Sequence, residues 1–83
     1  MSNTNTLAKR NYQQARLDYK VARDALVRIE SCHPSAVPRE HPVAGLSVAE
    51  WEERCAVRRE AAGVAWTAYI DAKVALASAR MRH

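Results

Sequence analysis

The stretch AAGVAWTAYIDAKVALASA, residues 61–79, holds only four plainly polar side chains in nineteen: Thr67, Asp71, Lys73 and Ser78. It contains no proline, and its one glycine is Gly63. Alanine is the strongest helix former and glycine costs about 1 kcal/mol relative to it, so the stretch reads as helix despite Gly63. Ala65, Tyr69, Ala72, Leu76 and Ala79 follow at spacings of 4, 3, 4 and 3, which puts them on one face. Trp66, Ile70, Val74, Ala77 and Met81 form a second apolar stripe beside the first. A lone surface helix needs one such stripe, so the second calls for a cover of its own.

Working back along the chain, the start of this helix carries the sharpest local signal. Ser47 and Glu50 fit a capping box, in which each side chain bonds the other residue's orphan backbone N–H. Leu46 and Trp51 fit the hydrophobic staple beside it. Glu50, Glu52 and Glu53 put negative charge at the positive end of the helix dipole, and Arg80 and Arg82 do the converse at the far end. The helix is expected over residues 47–82, facing its neighbour through Val48, Trp51, Cys55, Arg58 and Ala62 before the positions above. Arg58 is the one polar break in that row.

Upstream, Ala8, Tyr12, Ala15, Tyr19, Ala22, Leu26 and Ile29 alternate spacings of 4 and 3, a heptad seam over three repeats. A first helix is expected over residues 7–32, with Thr6 as N-cap, Thr4 and Asn5 as competitors for that place, and residues 1–6 as a frayed tail. Pro34 ends it, because the residue before a proline resists the α conformation. Between the helices, HPSAVPREHPVAGL (residues 33–46) has three prolines and one glycine and reads as a stiff loop. The fold class implied is all-α, an antiparallel two-helix hairpin with alanine-rich heptad seams, in a single domain over residues 1–83. If the middle of the loop marks the turn, Tyr12 meets Trp66 and Tyr69, and Tyr19 meets the stretch from Glu60 to Ala62.

A chain of 83 residues is short for a self-sufficient core. Leu17, Val21, Ala25 and Cys32 also lie off the first seam, so both helices carry apolar surface that one hairpin leaves open. Self-association into a four-helix bundle covers it, with Trp66, Ile70, Val74, Ala77 and Met81 as the expected dimer interface. Half-exposed alanine, present only as a helix former, is the plainer alternative.

Chemistry is sparse. His33, His41 and His83 lie in the loop or at the end of the chain, without the i, i+4 or C-x-x-C spacing of a metal site, so no metal or cofactor is expected. Cys32 and Cys55 read as packed thiols, offset too far for a disulfide. No glycine-rich phosphate loop or nucleophile elbow occurs, and no catalytic residue is assigned. The opening MSNTNTLAKR lacks the apolar core of a signal peptide, and no charge-free apolar run reaches the ~20 residues of a membrane span, so a cytoplasmic chain is expected.

The formal charge is +4, from thirteen Lys and Arg against nine Asp and Glu. Lys9, Arg16, Lys20 and Arg23 line one stripe of the first helix, and antiparallel pairing brings Lys9 and Arg10 toward Arg80, Arg82 and His83. Such a stripe steers an acidic partner, or simply keeps a small bundle soluble. It also permits phosphate contacts with nucleic acid, though no recognition helix or stacking platform accompanies it. The loop offers a second contact face through Pro34, Pro38, Arg39 and Pro42.

The opening MSNTNTLAKRNYQQARLDYKVARDAL, the proline-rich link and the capped second helix resemble small early proteins of transposable bacteriophages. Proteins of that kind are dimeric helical hairpins that inhibit host machinery, among them an inhibitor of twitching motility that binds the extension ATPase of the type IV pilus. The resemblance implies a homodimer that stoichiometrically blocks a host cytoplasmic protein, such as the pilus ATPase, and so excludes competing phages. It carries over no binding residue by position. The alternative class is a small basic nucleic-acid-binding or regulatory factor.

Overall fold

The computed structural model describes residues 3–81 and is all-helical there, with two helices. Helix α1 is Asn3–Glu30 and helix α2 is Val48–Met81. They pack side by side and antiparallel: Ala8 near the start of α1 clusters with Leu76 and Ala79 near the end of α2, and Glu30 at the end of α1 pairs with Arg59. The molecule measures 58 × 19 × 13 Å. A 34-residue helix is about 51 Å long, so α2 accounts for nearly the whole long dimension.

Both helix starts and stops have local causes. At the start of α2, the Glu50 N–H donates to Ser47 Oγ at 3.1 Å and the Ser47 N–H donates to Glu50 Oε1 at 3.3 Å, completing the capping box. Helix α1 ends at Glu30, two residues before the expected Cys32. There Ser31 Oγ donates to the carbonyls of Val27 and Arg28 at 2.7 and 3.2 Å, taking up groups that the next turn would otherwise use. Helix α1 starts earlier than expected. Thr6 lies inside it rather than at its cap, and residues 3–6 of the expected frayed tail are helical. Asn and Thr lose only a few tenths of a kcal/mol to alanine in a helix, a cost that a continued hydrogen-bond ladder offsets. Met1, Ser2 and the expected end of α2 at Arg82 lie outside the described residues.

Contact between the helices is made by small residues and aromatics. Ala8, Cys55, Ala62, Leu76 and Ala79 are buried, while Tyr12, Ala15, Tyr19, Ala22, Leu26 and Ile29 of α1 are half-buried, as are Trp51, Ala65, Tyr69 and Ala72 of α2. Val48 and Arg58, both expected to face α1, are exposed. Alanine on one helix lets a large ring from the other lie against the backbone, and four rings use that room. Tyr12 and Tyr69 have centroids 5.6 Å apart, Tyr69 and Tyr19 stack at 5.9 Å, and Tyr19 meets Trp66 at 5.1 Å. Such ring pairs contribute about 0.5–1.5 kcal/mol each beyond the area they bury.

Tyr12 meets Tyr69 as expected, but Tyr19 does not lie at its expected place. It rests on Trp66 and Tyr69, between about one and two and a half turns further along α2 than the stretch from Glu60 to Ala62. The cause is the loop, which does not turn symmetrically. Helix α2 begins beyond the end of α1, so that Glu30 stands beside Cys55 and between Trp51 and Arg59. The loop folds back along that overhang in successive tight turns, closed by the N–H groups of Ala36, His41, Ala44 and Leu46 on carbonyls three residues earlier. Val43 is thereby buried, and with Pro42 and His41 it lines a recess over Ala25, Ile29 and Cys32. Part of the off-seam surface of α1 is therefore covered by the chain's own loop.

Candidate interaction surfaces

The two helices leave two long flanks between them, and the flanks differ in charge. On the first, Lys9, Arg16, Lys20 and Arg23 of α1 are all exposed, at spacings of seven, four and three. The antiparallel register adds Lys73 and Arg80 of α2. Lys9, Arg16, Lys73 and Arg80 together border a groove of about 310 Å³ whose floor includes Tyr12, Leu76 and Ala77. No carboxylate among the described residues lines it. Arg16 also reaches the field of Tyr69, where its charge opposes the larger effect of a hydrogen bond with Tyr12 that raises the Tyr69 phenol above its ordinary value. Lys20 and Arg23 lie further along α1, outside the groove.

The expected dimer stripe borders this same flank. Trp66 is 47% exposed even though it packs on Tyr19 and Tyr69, Ile70 is half-buried, and Val74, Ala77 and Met81 are exposed, Met81 to 84%.

The second flank is nearly neutral. On α2 its residues are alanines: 61, 65, 68, 72, 75 and 79 recur at spacings of 4, 3, 4, 3 and 4. Ala72, Ala75, Ser78 and Ala79 form one wall of a groove of about 410 Å³, and Leu7, Ala8 and Asn11 of α1 form the other. Asp18, further along α1, accepts a hydrogen bond from Gln14 Nε2 at 2.9 Å. On α1 the outer face exposes Leu17 and Val21, to 57% and 69%.

The loop end holds the remaining expected contacts. Pro38, Arg39 and Pro42 are exposed and Pro34 is half-buried. They sit at the far end of α1 from Lys9, so the two faces expected to bind a partner are not one surface. The loop histidines have structural work. His33 Nδ1 accepts the Ser35 N–H at 3.2 Å and pairs with Ser35 Oγ at 2.8 Å, while His41 Nδ1 accepts the Val43 N–H at 3.1 Å. Each begins a His-Pro-X turn in which the ring nitrogen plays the part that an Asx side chain more often plays. Among the described residues no group of three or more His, Cys, Asp and Glu is placed to hold a metal. Cys32 is half-buried, Cys55 is buried, and both are free thiols. Nor is any helix among these residues long and apolar enough to cross a membrane.

Lys9 and Arg16 show as a stripe in the sequence, whereas Lys73 stands outside every stripe read there. Its signal was the seven-residue step to Arg80, which mirrors the step from Lys9 to Arg16. Comparison with protein-family models, with curated proteins and with solved structures found no match.

Proposed function

We propose that this chain is a non-enzymatic protein–protein interaction module that works as a homodimer. In its finer form the proposal is a phage-encoded inhibitor, acting in the host cytoplasm, that occludes a host protein such as the pilus assembly ATPase. The observation that carries the coarse reading is the exposed apolar surface. Leu17, Val21, Val64, Trp66, Val74 and Met81 are all exposed on a rod one helix pair thick. Surfaces of that kind mark contacts with other proteins more often than they stay in water. The finer reading rests on the likeness in style to small phage inhibitors.

In this reading the twofold contact lies on the alanine flank, completing a four-helix bundle in which small residues allow close approach. Charge supports that choice over the stripe of Trp66, Ile70, Val74, Ala77 and Met81. A twofold contact on that stripe draws Lys9, Arg16, Lys20, Arg23, Lys73 and Arg80 of both copies into or beside one interface, and like charges across an interface cost several kcal/mol. Trp66 is then left for a foreign partner, where tryptophan is a frequent anchor.

Sedimentation of wild type, Ala75→Glu and Trp66→Asp tests the dimer. The expected result is a dimeric wild type, a dissociated Ala75→Glu and a dimeric Trp66→Asp. A well-folded wild-type particle of 9.3 kDa at micromolar concentration removes the dimer. Dissociation by Trp66→Asp alone moves the contact to the Trp66 stripe. Affinity capture from host lysate tests the function, and recovery of one stoichiometric cytoplasmic protein supports it. The rival reading, a small nucleic-acid-binding or regulatory factor, draws on the six cations of the first flank. Recovery of nucleic acid alone reverses the ranking.

A further inference from the structure

We infer that the groove framed by Lys9, Arg16, Lys73 and Arg80 seats an acidic amphipathic helix of the partner protein. The inference rests on the reading of the chain as an interaction module and names the chemistry of what it binds.

The frame is built by register. Ala8 of α1 packs with Leu76 and Ala79 of α2, and Tyr12 meets Tyr69, which brings this end of α1 beside the last turns of α2. Antiparallel packing puts Lys9 and Arg16 of α1 on the same flank as Lys73 and Arg80 of α2, around one groove. On each helix the two cations stand seven residues apart, two helical turns or about 10.5 Å along the axis. Among the described residues none of the four is in a salt bridge, and no carboxylate lines the groove. Like charges held this close repel one another, and a partner that supplies anions relieves that repulsion.

The floor decides which anion. Between the cations lie the ring of Tyr12, Leu76 and Ala77, and further along the same flank lie Ile70 and the exposed face of Trp66. A phosphate backbone makes ionic contacts and has no use for an apolar floor. A helix laid along the groove uses both features. It shares the 1.5 Å rise of α1 and α2, so carboxylates seven residues apart reach the two ends of the frame together. Apolar side chains at the positions between them face Tyr12 and Leu76, in the helix-in-groove mode of recognition.

The test uses a short helix-forming peptide of Glu, Leu and Ala with Glu at i and i+7 on its leucine face. The same peptide with Lys in place of Glu, and a random-sequence DNA duplex, are the comparisons. The full chain is expected to bind the Glu peptide, more weakly as salt rises, and to ignore the Lys peptide. The double variant Arg16→Glu with Lys73→Glu is expected to lose the Glu peptide by about tenfold or more and to gain the Lys peptide. If that variant loses helicity, Lys9→Gln with Arg80→Gln takes its place, and weakened binding of the Glu peptide is then the expected result. Equal binding of the two peptides, or tighter binding of the duplex than of the Glu peptide, overturns the assignment. Sedimentation of the same samples separates the two levels. A dimer that ignores the Glu peptide removes the groove and leaves the module, whereas a monomer that binds it keeps the groove and removes the dimer.

Discussion

The indole N–H of Trp51 donates to the main-chain oxygen of Ile29 across the two helices, at 3.0 Å. That oxygen also accepts from the Cys32 N–H at 3.2 Å, and the Trp51 ring lies 4.9 Å from the ring of His33. One side chain from the first turns of α2 thus holds the last turn of α1 and the start of the loop.

Trp51→Phe keeps most of the ring and removes the donor. The expected loss is about 1 kcal/mol, the net worth of one hydrogen bond. For a domain of this size that lowers the melting temperature by about 4–8 °C, measured by circular dichroism. An unchanged melt means that the indole contributes through packing alone.

Removing the cap of α2 acts on the same end of the molecule from the other side. Ser47→Ala leaves the Glu50 N–H without its partner and is expected to cost about 1 kcal/mol. Ser47→Asp restores an acceptor and a favourable charge at the helix start and is expected to recover most of that loss. Denaturant midpoints of the three proteins check the order.

The Tyr12–Tyr69 pair makes an alkaline prediction. The Tyr69 phenol is raised from its ordinary 10.0, first by the hydrogen bond with Tyr12, then by burial and by the nearness of the Tyr12 charge, while Arg16 lowers it. A raised value means that the folded chain holds this proton more tightly than the unfolded chain does. The stabilisation is therefore complete below about pH 10 and is lost as pH climbs through the higher folded value. Phenolate absorbance is expected to show one tyrosine lagging the others. Tyr12→Phe is expected to bring its midpoint back toward the ordinary value; a lag that survives the substitution assigns the effect to burial.

Gly63 sits inside α2 with nothing within 4 Å of the place a Cβ would take, and no residue there has a left-handed backbone. Gly63→Ala is expected to stabilise the helix by about 0.5–1 kcal/mol. A fall in melting temperature instead points to a contact at Gly63 from outside the monomer, for which a second copy is the first candidate.

The parts of the fold that could be read in advance are the parts with short-range causes. Ser47 and Glu50 are three residues apart and meet as their spacing implies, and Pro34 marks the end of α1 to within a turn. What could not be read depends on groups far apart in the chain. The seat of Tyr19 on Trp66 follows from the overhang of α2, which depends on how the loop folds. The burial of Val43 and the turns built by His33 and His41 belong to that same folding. The binding groove divides along the same line. Lys9 and Arg16 share a helix and show as a stripe, whereas Lys73 joins them only once the register across two helices is known.

No large side chain among the described residues is fully enclosed, and the rod is 13 Å across its thinnest direction. Away from the loop, which covers only the last turns of α1, each helix of the monomer rests on the other alone, so one cannot come loose while its neighbour stays docked. Amide protons in the middle turns of both should therefore trade with deuterium at a single common pace, the pace of the pair unzipping. Any slower set that emerges at high concentration then traces, residue by residue, where a twin has closed over the rod.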